Sequence, residues 1–280
     1  MYSGIFSKTF ATASVEENFA LIKQCGFQAT QFNYASAGLP SLPTAIPASI
    51  LEEINAARIK HQIKIEAISA TFNLTHPDAA VIARGMASLE VIAASAARLH
   101  CPLLTLCSGT LDADDQWRAH PENNSPAAWR TLLRSMEQAL AIADQYQVNL
   151  GIEPELANIV NSAARARQLI DELQHPRLKI IFDPANLFEQ ADAAQQQRVM
   201  GEALDLLAPA IAIAHAKDRD ARGEFVTAGH GVLDYPWYIN ALHTAGFDGC
   251  VVTHGLPADD AAGVSALLAS LIPQSGGVHA

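Results

Sequence analysis

Val148-Asn-Leu-Gly-Ile-Glu153-Pro-Glu155 and Leu178-Lys-Ile-Ile-Phe-Asp183-Pro-Ala-Asn186 follow one pattern: a short apolar run that ends in an acid and a proline. Ser162, between them, marks a helix start. Leu178–Phe182, like Ile-Ala-Ile-Ala at 211–214, is apolar without clean alternation, the habit of strands covered on both faces in a parallel sheet. The unit repeats in both directions. Strands are expected near 2–6, 27–33, 63–69, 103–107, 148–152, 178–182, 211–216 and 249–253, each followed by a helical stretch. Ser14-Val-Glu-Glu17 has the form of a capping box. Ser125-Pro126 sets a cap ahead of a proline at the first helical position, and Trp129, Leu132, Met136, Leu140 and Ala143 recur behind it at helical spacing. Pro47-Ala48, Asp78, Asp234 and Pro257 mark further starts, and one more helix is expected around 191–208. Eight strands alternating with eight helices predict a single (β/α)8 TIM barrel over residues 1–280. An open doubly wound sheet usually binds nucleotide through a glycine-rich first turn, and Gly4-Ile-Phe-Ser-Lys-Thr-Phe10 has no such cluster.

Lys and Arg number 18 against 29 Asp and Glu, a formal charge of −11. That balance argues against a nucleic-acid partner, which needs a basic face. An apolar content of 50% argues against disorder. The closest approach to a membrane span is read at 203–216, where Asp205 and Pro209 interrupt it, so no membrane partner is expected. The N-terminus lacks a basic segment followed by a long apolar run. Cys25, Cys101, Cys107 and Cys250 are scattered and read as reduced thiols, Cys107 as core packing. A cytoplasmic location is the expectation.

In such a barrel the chemistry gathers at the C-terminal strand ends. Glu153, Asp183, His215 and His254 close the fifth to eighth expected strands. Alone, such an acid reads as a helix cap or surface charge, and such a histidine as a satisfied rim group. Adjacent strands lie about 4.8 Å apart, so the four can converge. Burying them together without a cation would be costly. Two carboxylates and two imidazoles suit one divalent ion, drawn from Mn, Zn, Co, Fe or Mg. Substrate contacts are expected from His76, Trp117, Glu155, Asn186 and Lys217, with loop hydrogen bonding, rim anchoring or a solvated charge as the plainer readings. Asn158 either caps a helix or binds hydroxyls. Gly229, Gly231 and Asp234 make a tight loop and a helix cap, or cradle a phosphate on backbone amides. The long connections 108–124 and 218–233 are lid candidates.

Gly-Ile-Glu153-Pro-Glu, Ile-Phe-Asp183-Pro-Ala-Asn186-Leu, His215-Ala-Lys217-Asp218 and Gly229-His-Gly231-Val-Leu-Asp234 together resemble the xylose-isomerase-like TIM barrels. That superfamily includes sugar phosphate isomerases/epimerases, ketose 3-epimerases, hydroxypyruvate isomerase, inosose dehydratase and endonuclease IV. The resemblance implies a metal-dependent isomerase or epimerase acting on a sugar or sugar phosphate by proton abstraction and a metal-stabilised enediolate. Members of the superfamily often form dimers or tetramers, which leaves both a homo-oligomer and a monomer open for this chain. In the ketose 3-epimerase branch the ligands are Glu, Asp, His and Glu. Glu153, Asp183 and His215 match the first three, and His254 stands where the second Glu belongs. Glu153 is then base and ligand, while His254 is a ligand, a second acid/base group or a substrate contact. Epimerisation wants a base on each face of the carbon, and aldose–ketose isomerisation can run with one, so the departure favours isomerisation. Dehydration of a polyol-ketone and a non-catalytic sugar-binding barrel remain alternatives. An endonuclease IV-like phosphodiesterase would need a His-rich multi-zinc cluster.

Overall fold

Eight parallel strands close into a barrel in the computed structural model, which describes residues 1–273. They are β1 (Tyr2–Phe6), β2 (Ala29–Phe32), β3 (Lys64–Ser69), β4 (Leu103–Cys107), β5 (Asn149–Glu153), β6 (Leu178–Phe182), β7 (Ile211–Ala216) and β8 (Cys250–Thr253). β1 pairs with both β2 and β8, so no edge is left open. Eight α-helices alternate with the strands: α1 (Val15–Gln24), α2 (Ala48–His61), α3 (Ala79–Ala96), α4 (Pro126–Tyr146), α5 (Ala163–Leu173), α6 (Ala193–Leu207), α7 (Tyr235–Thr244) and α8 (Ala261–Leu271). This is the expected (β/α)8 barrel. The last seven residues of the expected 1–280 span lie outside the described residues.

Local chemistry sets the helix starts. Ser125, Ser162, Asp78 and Asp234 each accept a backbone N–H of the first turn that follows. At α1 the capping box is only half formed. Ser14 accepts from Glu17 N, but the Glu17 carboxylate takes Ala13 N rather than Ser14 N. The reciprocal box occurs at α6 instead, between Asp192 and Gln195.

The 21 residues Ala79–Leu99 are long and apolar enough to cross a bilayer, which departs from the expectation drawn at 203–216. Alanine supplies much of that character, and Arg84, Glu90 and Arg98 break the run. Met86, Leu89, Ile92 and Ala96 bury one face of this segment in the core. Gly85 sits on that face, where a Cβ would lie 2.0 Å from the Phe72 ring. Gly85→Ala therefore destabilises the protein by about 1–3 kcal/mol through overpacking, despite gaining about 1 kcal/mol of helix propensity. Urea denaturation measures the difference, and a neutral or stabilising result would contradict the packing.

The barrel interior explains how the site is supported. Gly151, Ile181, Ile213 and Val252 each stand two residues before Glu153, Asp183, His215 and His254, and so share their inward face. Ile181, Ile213 and Val252 pack with Ala29, Ala67, Leu103 and Cys250 into an apolar plug. A Cβ at Gly151 would lie 2.5 Å from Ile181 Cδ1, so the glycine leaves room for that isoleucine. The four polar side chains stand on this plug, which closes the site from below.

Candidate metal centre

The four ligand candidates are not level in the sheet. Extending the register, Glu153 lies opposite Ile181, Asp183 opposite His215, and His215 opposite Val252. The candidates thus climb two residues, none, then two along successive strands. A barrel of shear 8 climbs about one residue per strand, and side-chain alternation allows only even steps. Strand tilt therefore brings together groups that the register separates. One ligand atom from each of the four lies within 4.8 Å of every other. Among the described residues this is the one such cluster, so nothing resembles a multi-zinc array.

His215 is the key to the arrangement. It is 2% exposed, and its Nε2 stands 3.1 Å from Gln31 Oε1. Gln31 Nε2 is 3.4 Å from Thr105 Oγ1, which orients the amide oxygen toward the imidazole. A carbonyl acceptor at Nε2 keeps a ring hydrogen there, so the neutral ring turns its Nδ1 lone pair to the cluster. Nδ1 is buried without a hydrogen-bond partner, 3.4 Å from Glu153 Oε1 and 3.5 Å from Asp183 Oδ2. A buried nitrogen facing two carboxylates, with its other nitrogen tied back, is the donor set a divalent ion requires. The residues fit the metal.

The others complete the set. Asp183 Oδ1 accepts from Ala185 N, leaving Oδ2 for the cluster, where His254 Nε2 lies 3.1 Å away. Burial opposes the ionised form of Asp183, yet the adjacent His215 and His254 imidazoles and the Lys217 charge hold its carboxyl well below the usual range. Burial also pulls His215 down, but Glu153 and Asp183 outweigh it and push the imidazole up to about 9 when no ion is bound. Burial and the neighbouring His215 charge hold His254 below the usual histidine range. The two rings are 4.4 Å apart between centroids.

Gln31→Leu removes the acceptor at His215 Nε2 and frees the ring to turn or to reverse its tautomer. Loss of such a supporting partner lowers metal affinity by about 10–100-fold. Competition with a chromogenic zinc chelator measures it, and unchanged affinity would show that Gln31 does not orient the ring.

A cavity of about 520 Å³ opens above the cluster. Glu155, Trp117, Asn186 and Lys217, four of the five expected substrate contacts, line it. Burial, then the Glu153 charge, pushes the Glu155 carboxyl up to about 7. Asn186 points inward but donates Nδ2 to Glu153 Oε1 at 2.8 Å, so it orients the acid. Trp117 is 50% exposed at the cavity wall. His76 is not brought to the site. Its Nε2 meets Ala113 O and its Nδ1 accepts Asp78 N, and it lines a separate crevice between α3 and α4. Asn158 neither caps a helix nor faces the cavity. It accepts Gly109 N and donates to Gln116 O, tying down the loop after β4. The Cys107 thiol is buried and pushed up to about 12 by that burial, an inert packing group.

The phosphate cradle is overturned. The Asp218 carboxylate accepts the backbone N–H groups of Gly229, Gly231, Leu233 and Arg219. A Cβ at Gly231 would lie 2.2 Å from Arg219 O and 2.3 Å from Asp218 Oδ1, so the glycine serves this knot. Asp234 caps α7 as expected.

Gln31, Lys8 and Phe225 also line the cavity and escape the sequence reading. A signal for Gln31 exists: it is the inward polar residue in the buried strand Ala-Thr-Gln-Phe. Phe225 reaches the rim on a two-stranded hairpin that pairs Asp218–Arg219 with Phe225–Val226.

No curated protein matches the chain by sequence. Among solved structures it is similar to a 3-keto-D-glucoside 4-epimerase from E. coli, at 18% identity and a TM-score of 0.74, covering 96% of this chain and 99% of that one. It is similar to the IolI protein with a bound zinc atom, at 15% identity and a TM-score of 0.73, covering 96% of each chain. It is also similar to a D-psicose 3-epimerase from Clostridium cellulolyticum, at 16% identity and a TM-score of 0.69, covering 94% of this chain and 90% of that one. At these identities the likeness concerns the fold. A family model described as the xylose isomerase-like TIM barrel matches residues 19–272, and the chain belongs to that family.

Proposed function

We propose that this protein is a sugar isomerase that works with one divalent ion held by Glu153, Asp183, His215 and His254. The observation that carries the reading is the buried, unpartnered Nδ1 of His215 facing two carboxylates in the floor of a cavity. The ion, when bound, polarises adjacent carbonyl and hydroxyl oxygens of the sugar and so acidifies the C–H between them. Glu153 takes that proton and returns it to the neighbouring carbon, its Oε1 held by Asn186, while the hydroxyl proton passes from one of the two substrate oxygens to the other. A set of two nitrogens and two carboxylates favours Zn, Co or Fe over Mg.

The distribution of carboxylates favours aldose–ketose isomerisation over epimerisation. Glu153 and Glu155 both rise from β5 and the segment just after it, whereas β8 leads into His254, an imidazole engaged in the ligand cluster in place of a second carboxylate. Bases on one side serve a proton passed between adjacent carbons along one face. Incubating the metal-loaded protein in D2O with aldoses, ketoses and their phosphates tests this. Deuterium at C1 or C2 with configuration at C3 retained is the expected result. Inversion at C3 would make the protein an epimerase. No exchange with any of them, at one ion per chain, would contradict the enzyme reading and leave a sugar-binding barrel.

A further inference from the structure

The cavity walls differ in charge. β7, β8 and β1 are neighbours in the barrel. β7 leads into Lys217, β8 into His254, and β1 into the turn Ser7–Thr9 that carries Lys8. Both lysines line the cavity, from the two strands that flank His254. The carboxylates Glu153 and Glu155 belong to the opposite side, at β5.

Neither lysine forms an ion pair, although the Lys217 charge reaches the Glu155 and Asp183 carboxylates. The lysines engaged in ion pairs among the described residues are Lys60 and Lys64. Lys217 instead places its Nζ 3.3 Å from the centre of the Phe225 ring. An aromatic face holds a cation without cancelling its charge. The ring is itself fixed from the hairpin: the Arg219 guanidinium lies 3.9 Å from the same ring and donates to Ala185 O and Gly223 O. Arg219 is therefore occupied by the fold, and Lys217 is left to the cavity.

The charge balance follows. Glu153 and Asp183 offset a divalent ion. The cavity then retains two lysines against Glu155, an excess of positive charge in a chain of formal charge −11. A neutral sugar has no use for that excess. No backbone nest supplements the lysines, because Asp218 occupies the amides of Gly229 and Gly231.

We propose that the substrate carries an oxyanion, a phosphate or a carboxylate, held by Lys217 and Lys8 beside His254 while the sugar chain extends toward Glu153. The inference takes the location of the site from the isomerase reading and adds the substrate's charge. Three aldoses that differ only at C6 test it: D-glucose, D-glucose 6-phosphate and D-glucuronate, titrated calorimetrically into the metal-loaded protein. At least one anion is expected to bind about tenfold to hundredfold more tightly than glucose, the size of one or two charge-assisted hydrogen bonds. The tighter of the two anions identifies the group. Lys217→Met is expected to remove most of the preference, and added Lys8→Met the rest. Equal binding of all three sugars, binding of neither anion, or a preference that survives the double substitution would overturn the proposal. Metal content and deuterium exchange on the same samples separate the two readings. Exchange without an anion preference leaves the isomerase and removes the oxyanion; the preference without exchange does the reverse.

Discussion

Glu153→Gln is expected to lower proton exchange at the substrate carbon by about 10²–10⁴-fold, the usual contribution of a positioned general base. The substitution is nearly isosteric. Its amide oxygen can still accept from Asn186 Nδ2, now 2.8 Å from Glu153 Oε1. What the amide cannot do is take a proton. The side chain stands on the Gly151–Ile181 packing of the barrel interior, which the substitution leaves unchanged. The thermal transition should therefore stay cooperative while deuterium wash-in disappears. Metal content on the same sample shows whether the ion is retained. Normal turnover in this variant would remove Glu153 from the role of base.

Asp218→Asn is expected to cost about 2–4 kcal/mol of stability. Asp218 lies fully buried, and its two oxygens accept four backbone N–H groups at 2.8–3.1 Å. An asparagine keeps one oxygen and turns an NH2 group toward two donors, leaving buried amides unpaired. The same knot anchors the hairpin that carries Phe225 over Lys217. Loosening it should weaken substrate binding as well as lower the melting temperature. Calorimetric melting measures the first effect, and a shift of under a degree would contradict the role assigned to the carboxylate.

The fold was legible because its strands are short, apolar on both faces and punctuated by caps. Ser125, Ser162, Asp78 and Asp234 act as the sequence reading expects, since a side-chain cap is a local interaction. The ligand cluster was legible from position: each candidate closes an apolar run, and strand tilt brings them together. Long-range pairing was not legible. Nothing near Gln31 in the chain announces His215, 184 residues away, as its partner. His76 and Asn158 look like site residues by type and place, but loop backbone claims their polar atoms. Gly229 and Gly231 resemble an anion cradle until the Asp218 carboxylate is placed among their amides. Polar residues in loops have many partners within reach, and only the folded chain decides among them.

Everything proposed for the site depends on Glu153, Asp183, His215 and His254 holding one ion. Metal per chain, measured by mass spectrometry on protein purified without chelator and again after dialysis against Mn, Co or Zn, tests it most directly, with Asp183→Ala as control. About one ion per wild-type chain and close to none in the variant is the expected result. Wild-type protein that remains metal-free after dialysis against all three would contradict it.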